Sequence, residues 1–330
     1  MTSQIQIIGI GSPLIDSLMH VSESFLLEVP GEKGGMELVA IEHIDELVRK
    51  SENDIIHASG GSAANTIIGL SKLGMNCTFL GKLGNDDHAN FYVQQFSGAQ
   101  VCTQRFKYCG MSATGRCLSM ITPDSQRTCR TYLGAAMNLK PHEITVDDFA
   151  NCNHAHLEGY KLFNQDLAKR ILECAKDAGC SISLDLASFE VVRGNHDILD
   201  HLLDEYIDIV FANEDEAKAY CGSDDPIVGL HELAEHCEVA AVKLGPDGAY
   251  IKRQEDVVKV DTPVVNAVDT TGAGDLWAAG FLYGYFNGFD LKSCGIAGAI
   301  LGSTVVQETG AMIPEKHWSG LQERIANLRQ

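Results

Sequence analysis

Between His154 and Gly245 short apolar runs alternate with longer amphipathic stretches: HAHLEGYKL, NQDLAKRILECAKDAG, SISLDLA, NHDILDHLLDEY, IDIVFAN, EDEAKAYCG, GLHELAEHC and VAAVKLG. The first quarter does the same. QIQIIGI (4–10) reads as a buried strand and AANTIIGLSKLG (63–74) as a helix closed by Gly74. CTFLGKLG reads as a strand and DHANFYVQQFSGA as a helix. Strands alternating with helices can bury their apolar faces only as layers, so this order predicts an α/β fold with a mostly parallel sheet.

Two segments break the rhythm. Residues 17–45 hold P-G and G-G turn signals, and residues 100–135 alternate Thr, Tyr, Phe and Cys around Gly and Pro-Asp turns, as antiparallel hairpins do. Together they predict a small β-rich lid made from separated parts of the chain. The large α/β domain is then 1–16, 46–99 and 136–330.

Composition limits the partners. The chain has 330 residues and a formal net charge of −20, which repels a nucleic-acid backbone. No apolar run reaches the ~18 residues that span a bilayer. The start, Met1-Thr2-Ser3-Gln4, lacks the basic region of a secretory signal, and a cytoplasmic protein is expected. The eleven cysteines include no C-x-x-C pair and read as free thiols.

Five segments carry candidate chemistry. In DTTGAGDLWAAGFLYGYF (269–286) a buried helix should begin near Gly272–Asp275. Glycines before a helix leave N–H groups pointing outward, which with the helix dipole make an anion site. Asp275, in that first turn, is either a cap for the orphan N–H groups or a base placed to take a hydroxyl proton. SGGSAANTIIGLSKLG (59–74) puts Gly60, Gly61 and Asn65 at the mouth of another helix. In GIGSPLID (9–16) the third glycine of a dinucleotide fingerprint falls on Leu14. Asp16 remains, a carboxylate expected just past a strand end and suited to sugar hydroxyls. NEDE (213–216) has the spacing of a capping box between Asn213 and Glu216, or it serves Mg2+ and phosphates. VKLGPDG (242–248) ends a strand on Lys243, either a phosphate partner or a loop lysine. No Walker-type phosphate loop occurs.

Taken together, these segments resemble the PfkB (ribokinase-like) family of sugar and nucleoside kinases over essentially the whole chain. The Gly-Gly segment looks like the N-terminal signature and DTTGAGD like the C-terminal one. GSPLID, EHIDELVRK…HASGG and TGAMIPEKH (309–317) are similar to the adenosine kinase branch.

The resemblance implies a ribokinase-like three-layer α/β/α domain with a lid. It implies ATP and Mg2+, and a small nucleoside or sugar acceptor. Asp275 would be the base, and Gly272, Ala273 and Gly274 the anion hole. Asp16, Gly60, Gly61 and Asn65 would hold ribose hydroxyls. Asn213 and Glu216 would organise Mg2+ and ATP phosphates, partly through water, with Lys243 and Gly245 along the nucleotide. Tyr160 would stack on a purine or be a half-buried strand tyrosine. Arg127 would swing onto the transferred phosphate or be an exposed hairpin arginine. Asp269 and Gly310 fit a monovalent cation (K+) site, although Met312-Ile313-Pro314 stand where cation-binding members supply a serine.

The expected reaction is transfer of the γ-phosphoryl of ATP to a hydroxymethyl group, adenosine to AMP first. A ribose, fructose or 2-keto-3-deoxygluconate kinase is the alternative. A nicotinamide-dependent oxidoreductase and a catalytically silent nucleoside-binding protein are the rivals. The assembly is expected to be a monomer, or a homodimer through lid edges around Tyr108–Leu118.

Overall fold

A computed structural model describes residues 5–51, 55–124 and 126–329. Gln4, the expected start of the first strand, and Ser125, within the predicted lid, lie outside the described residues. In chain order the strands are β1 (Gln6–Ile10), β2 (Leu14–His20), β3 (Met36–Leu38), β4 (Ile55–Gly60), β5 (Asn76–Leu80), β6 (Lys82–Gly84), β7 (Lys107–Cys109) and β8 (Gly115–Ile121). There follow β9 (Arg127–Tyr132), β10 (His154–Glu158), β11 (Ser181–Asp185), β12 (Ile209–Asn213), β13 (Val239–Lys243), β14 (Ala249–Arg253) and β15 (Asp256–Val260).

Among the described residues eight strands form one sheet, in the order β15-β14-β13-β12-β11-β10-β1-β5. From β5 to β13 neighbours are parallel, while β14 and β15 fold back antiparallel. Successive side chains of a strand point to opposite faces, and both faces here are apolar. Ile209 and Phe211 enter a core with Leu276 and Phe281, while Val210 and Ala212 enter a second core with Leu199 and Leu230. The result is the mostly parallel sheet expected from the alternation, in the three-layer arrangement that the family resemblance implies.

The helix Ala273–Phe286 is apolar all round, and its residues Leu276–Leu282 are buried without a break. Its Gly280 lies so close to the helix Leu291–Val305 that a Cβ there would come within 2.3 Å of the Ala297 carbonyl oxygen. Tight packing of this kind immobilises the helix whose first turn holds Asp275.

Among the described residues five strands form a second sheet, in the order β3-β9-β8-β2-β4. One face packs on the helices Glu23–Leu27 and Ile41–Lys50, through Met19, Leu118 and Met120 against Leu26, Ile44 and Leu47. This sheet differs from the predicted lid in three respects. It includes β4, which the sequence pattern left with residues 46–99; IIHASG has neither a long β-branched run nor alternation to mark it. Asp16 lies inside β2, not beyond a strand end, because Gly11-Ser12-Pro13 carries the chain from β1 directly into the second sheet. The sheet's edges are β3 and β4, whereas Leu118 is in central β8 and Tyr108 is in β7, which pairs with β6. Among the described residues no helix is long and apolar enough to cross a membrane.

Candidate active site

Four adjacent parallel strands end on polar residues: β10 on Glu158, β11 on Asp185, β12 on Asn213 and β13 on Lys243. Register sets Glu158 beside Asp185 and Asn213 beside Lys243. Ligands of open α/β sheets bind at this carboxyl end, and here a cavity of about 770 Å3 opens. It is lined by Asp16, Gly61 and Asn65 from one side and Asn213, Lys243 and Gly245 from the other, with Gly274 and Asp275 among its walls.

Asp275 lies in the first turn of the helix Ala273–Phe286, whose N-cap Gly272 has φ 76°. Ser62 Oγ donates to its Oδ1 at 2.7 Å and Asn65 Nδ2 to its Oδ2 at 2.8 Å. Thr66 Oγ1 donates to its backbone carbonyl at 3.0 Å. The two signatures, about two hundred residues apart in sequence, therefore meet on one carboxylate. Burial pushes its pKa up to about 6; Asp185 adds to the rise, while the bonds from Asn65 and Ser62 and the Lys243 charge oppose it. A carboxylate so tuned is a competent base near neutral pH.

Of the expected anion-hole donors, Ala273 is already engaged, its N–H donating to the Thr270 carbonyl at 3.2 Å. The N–H groups of Gly274 and Asp275 have no hydrogen-bond partner among the described residues. By the same measure the Gly272 N–H has no partner among the described residues, so of the three expected donors Ala273 alone is engaged, and Asp275 adds a further N–H at this helix start. A Cβ on Gly274 would sit 3.0 Å from Lys243 Nζ, so the ammonium lies directly over this turn.

Lys243 Nζ donates to Asp185 Oδ2 at 2.8 Å in a pair that is almost fully buried. Burial works against its charge, but Asp185, Glu216 and Asp275 outweigh that and hold its pKa above the ordinary value. The capping box is formed: Asn213 Oδ1 accepts from the Glu216 N–H, and Glu216 Oε2 accepts from the Asn213 N–H, each at 2.8 Å. Asn213 Nδ2 holds Glu216 Oε1 as well, also at 2.8 Å. Burial, with repulsion from Asp185, pushes Glu216 up to about 7.

Opposite lies Asp16, pushed up to about 7 by burial, a rise that the Arg127 charge only partly offsets. Gly60 does not line the cavity; it makes room for Asp16, since a Cβ there would fall 2.3 Å from the carboxylate. Gly61, at φ 108°, turns the chain into the helix Ser62–Lys72 where a Cβ would meet the Ser12 carbonyl oxygen at 2.3 Å. Gly11 is likewise backed by the Glu158 carboxylate, so its glycine is needed for packing and no dinucleotide loop is built there. Tyr160 is not a strand residue: it follows β10 in a 3-10 turn, is 42% exposed and lines the cavity.

Arg127 and Asp269 find each other rather than the cavity. Arg127 Nη1 lies 3.2 and 3.1 Å from the two Asp269 oxygens. Asp269 also accepts from the Thr271 N–H at 3.0 Å, Thr271 Oγ1 at 2.6 Å and the Gly310 N–H at 2.8 Å. The expected cation partners are therefore already spanned by a guanidinium from β9, and Gly310 presents a donor there.

Sequence reading missed Asp185, Ser62 and the loop 262–267. A polar residue closing each successive predicted strand would have pointed to Asp185. The loop brings Thr262, Pro263, Val264 and Val265 to the cavity, and Val264 is fully exposed there, an apolar wall suited to a flat ring.

The chain matches the pfkB family of carbohydrate kinases over residues 26–318. It is 29% identical over 274 residues to a nucleoside kinase of Methanothermobacter thermautotrophicus, covering 81% of this chain and 86% of that one. The crystal structure of adenosine kinase from Sinorhizobium meliloti superposes with a TM-score of 0.87 at 30% identity, covering 98% of this chain and 99% of that one. A probable sugar kinase from Rhizobium etli CFN 42 gives the same TM-score, identity and coverage. With the buried carboxylate that the helix turn brings to the cavity, these matches make the chain a member of the pfkB carbohydrate kinase family and a phosphotransferase with an alcohol group as acceptor.

Proposed function

We propose that this protein transfers the γ-phosphoryl of ATP to the 5′-hydroxymethyl of a nucleoside, adenosine giving AMP. The observation that carries the reading is Asp275, gripped by Ser62 and Asn65, between the Asp16 wall and the Lys243 ammonium. Asp16, Gly61 and Asn65 hold the ribose hydroxyls, and Tyr160 and the apolar loop 262–267 offer faces to flat bases. Asp275 takes the proton of the attacking hydroxyl. The N–H groups of Gly274 and Asp275, with Lys243, stabilise charge on the transferring group.

Mg2+ fits this site only through water. Both Glu216 oxygens serve the Asn213 cap, and among the described residues no three carboxylate, thiol or imidazole groups converge on one point. Asp185 and Glu216 would hold its hydration shell, and a cation there would relieve the repulsion that raises Glu216. When bound, it neutralises phosphate charge.

An ADP-release screen over adenosine, other nucleosides, ribose, fructose and 2-keto-3-deoxygluconate tests the reading. Adenosine is expected to give the highest kcat/KM. A sugar exceeding it would replace the nucleoside reading with the sugar-kinase one, which the superposition on a probable sugar kinase favours as the second choice.

Two further results are expected. Asp16 and Glu216 stand near 7 and Asp275 near 6. Raised acids regain protons first as pH falls, so kcat/KM should drop below about pH 7 with a slope steeper than one proton. A single-proton limb centred near 4 would contradict this. Because Arg127 already balances Asp269, replacing K+ by choline should change the rate by less than about twofold. Strong K+ activation in steady-state assays would show that the guanidinium yields its place.

A further inference from the structure

The face of the second sheet that carries Asp16 also carries two thiols. Asp16 stands beside Cys117 across β2 and β8; across β8 and β9, Cys117 stands opposite Thr131 and Ser119 opposite Cys129. Directly paired residues, and residues two apart, share a face. Cys117 and Cys129 are therefore diagonal neighbours on the Asp16 face. Ser119 Oγ bridges them, 4.0 Å from Cys117 Sγ and 3.5 Å from Cys129 Sγ, and Thr131 Oγ1 donates to Cys117 Sγ at 3.4 Å. Arg127 Nη2 donates to that same Ser119 Oγ at 2.6 Å.

The two thiols differ in acidity. The Cys117 sulfur, Ser119 and the Arg127 and Arg130 charges hold the Cys129 thiol below its ordinary value, while the Cys129 sulfur and burial push Cys117 well above its own. One thiolate beside one thiol is the arrangement that exchanges readily. Cys152 and Cys180 also approach each other, but both are buried and burial pushes their thiols up, so they are the inert comparison.

We propose that Cys117 and Cys129 are a peroxide-sensitive dithiol on the substrate face of the lid, and that closing it to a disulfide weakens acceptor binding. The Cys129 thiolate attacks one oxygen of hydrogen peroxide, breaking the O–O bond and leaving a sulfenic acid and hydroxide. The Cys117 sulfur then attacks the sulfenic sulfur; the S–O bond breaks, the S–S bond forms, and the thiol proton leaves in water. Overall two thiols and one peroxide give a disulfide and two waters, the cysteines losing the two electrons that the peroxide gains. β8 is hydrogen-bonded between β2 and β9. Drawing β8 and β9 together along that diagonal shifts Asp16 through β2 and Arg127 through Ser119. This consequence rests on the proposed role of Asp16 in holding acceptor hydroxyls.

The test treats the reduced full chain with hydrogen peroxide and digests it with trypsin without reductant. The peptides holding Cys117 and Cys129 are expected to appear joined, two hydrogens lighter than their sum, before any other disulfide among the eleven cysteines. The acceptor KM should rise by at least about fivefold, a modest coupling between sites, and dithiothreitol should reverse both changes. Cys117→Ser should keep reduced activity, lose the link and leave a dimedone-reactive sulfenic acid at Cys129; Cys129→Ala should lose the link with no sulfenic acid. Other disulfides forming first, or the link forming with KM unchanged, would overturn the proposal. The mass readout is independent of catalysis. Kinase activity without the link overturns the dithiol alone, and the link in a chain that phosphorylates no acceptor overturns the kinase reading alone.

Discussion

Asp275→Asn is expected to lower kcat by on the order of 10³-fold, the scale of removing a positioned general base, with acceptor KM within a few-fold of wild type. The substitution is isosteric, and the surroundings can accept it. Among the described residues Asn65 Oδ1 is buried without a hydrogen-bond partner, while its Nδ2 holds Asp275. A flip of the Asn65 amide in the variant would let that orphaned oxygen accept from the new carboxamide, and Ser62 can still donate to the carboxamide oxygen. Fold and substrate grip therefore survive, and only the proton acceptor is lost. Steady-state kinetics with calorimetric acceptor binding separates the two. Turnover near that of wild type would show that Asp275 is a helix cap and nothing more.

Lys243→Met is the second large effect. The ammonium cancels Asp185, restrains the acidity shifts of Asp275 and Glu216, and lies over the free N–H groups at Gly274. Its loss should reduce kcat/KM by on the order of 10²-fold, as the loss of one preorganised charge partner does. The acid limb of the pH profile should move upward, because a cation that favours the ionised carboxylates is gone. Breaking a buried pair from one side also costs on the order of 3–5 kcal/mol of stability. Adding Asp185→Asn removes the stranded charge, so the double variant should regain much of the thermal stability but none of the rate. Recovery of rate along with stability would reduce Lys243 to a structural counter-ion.

Much of this architecture could be read locally. The strand and helix alternation is a property of neighbouring residues, and so is the capping box of Asn213 and Glu216. DTTGAGD announced a helix start with a carboxylate in its first turn. What local pattern does not carry is which distant strands pair. β4 joins the second sheet through its register with β2, not through its composition, and Asp16 reaches the cavity because that sheet leans over it. Ser62 and Asn65 meet Asp275 across more than two hundred residues of chain. Arg127 and Asp269 each suited a ligand when taken alone; only the folded chain shows that each is the other's partner.

The most direct measurement is phosphorus NMR of a reaction of the wild-type chain with ATP, Mg2+ and adenosine. The expected result is stoichiometric loss of the γ-phosphoryl resonance and growth of a phosphomonoester signal split into a triplet by two methylene protons. That splitting marks transfer to a hydroxymethyl oxygen, and the signal should be absent with Asp275→Asn on the same timescale. Inorganic phosphate as the sole new species, or a doublet from a secondary hydroxyl, would contradict transfer to the 5′-hydroxymethyl at this site.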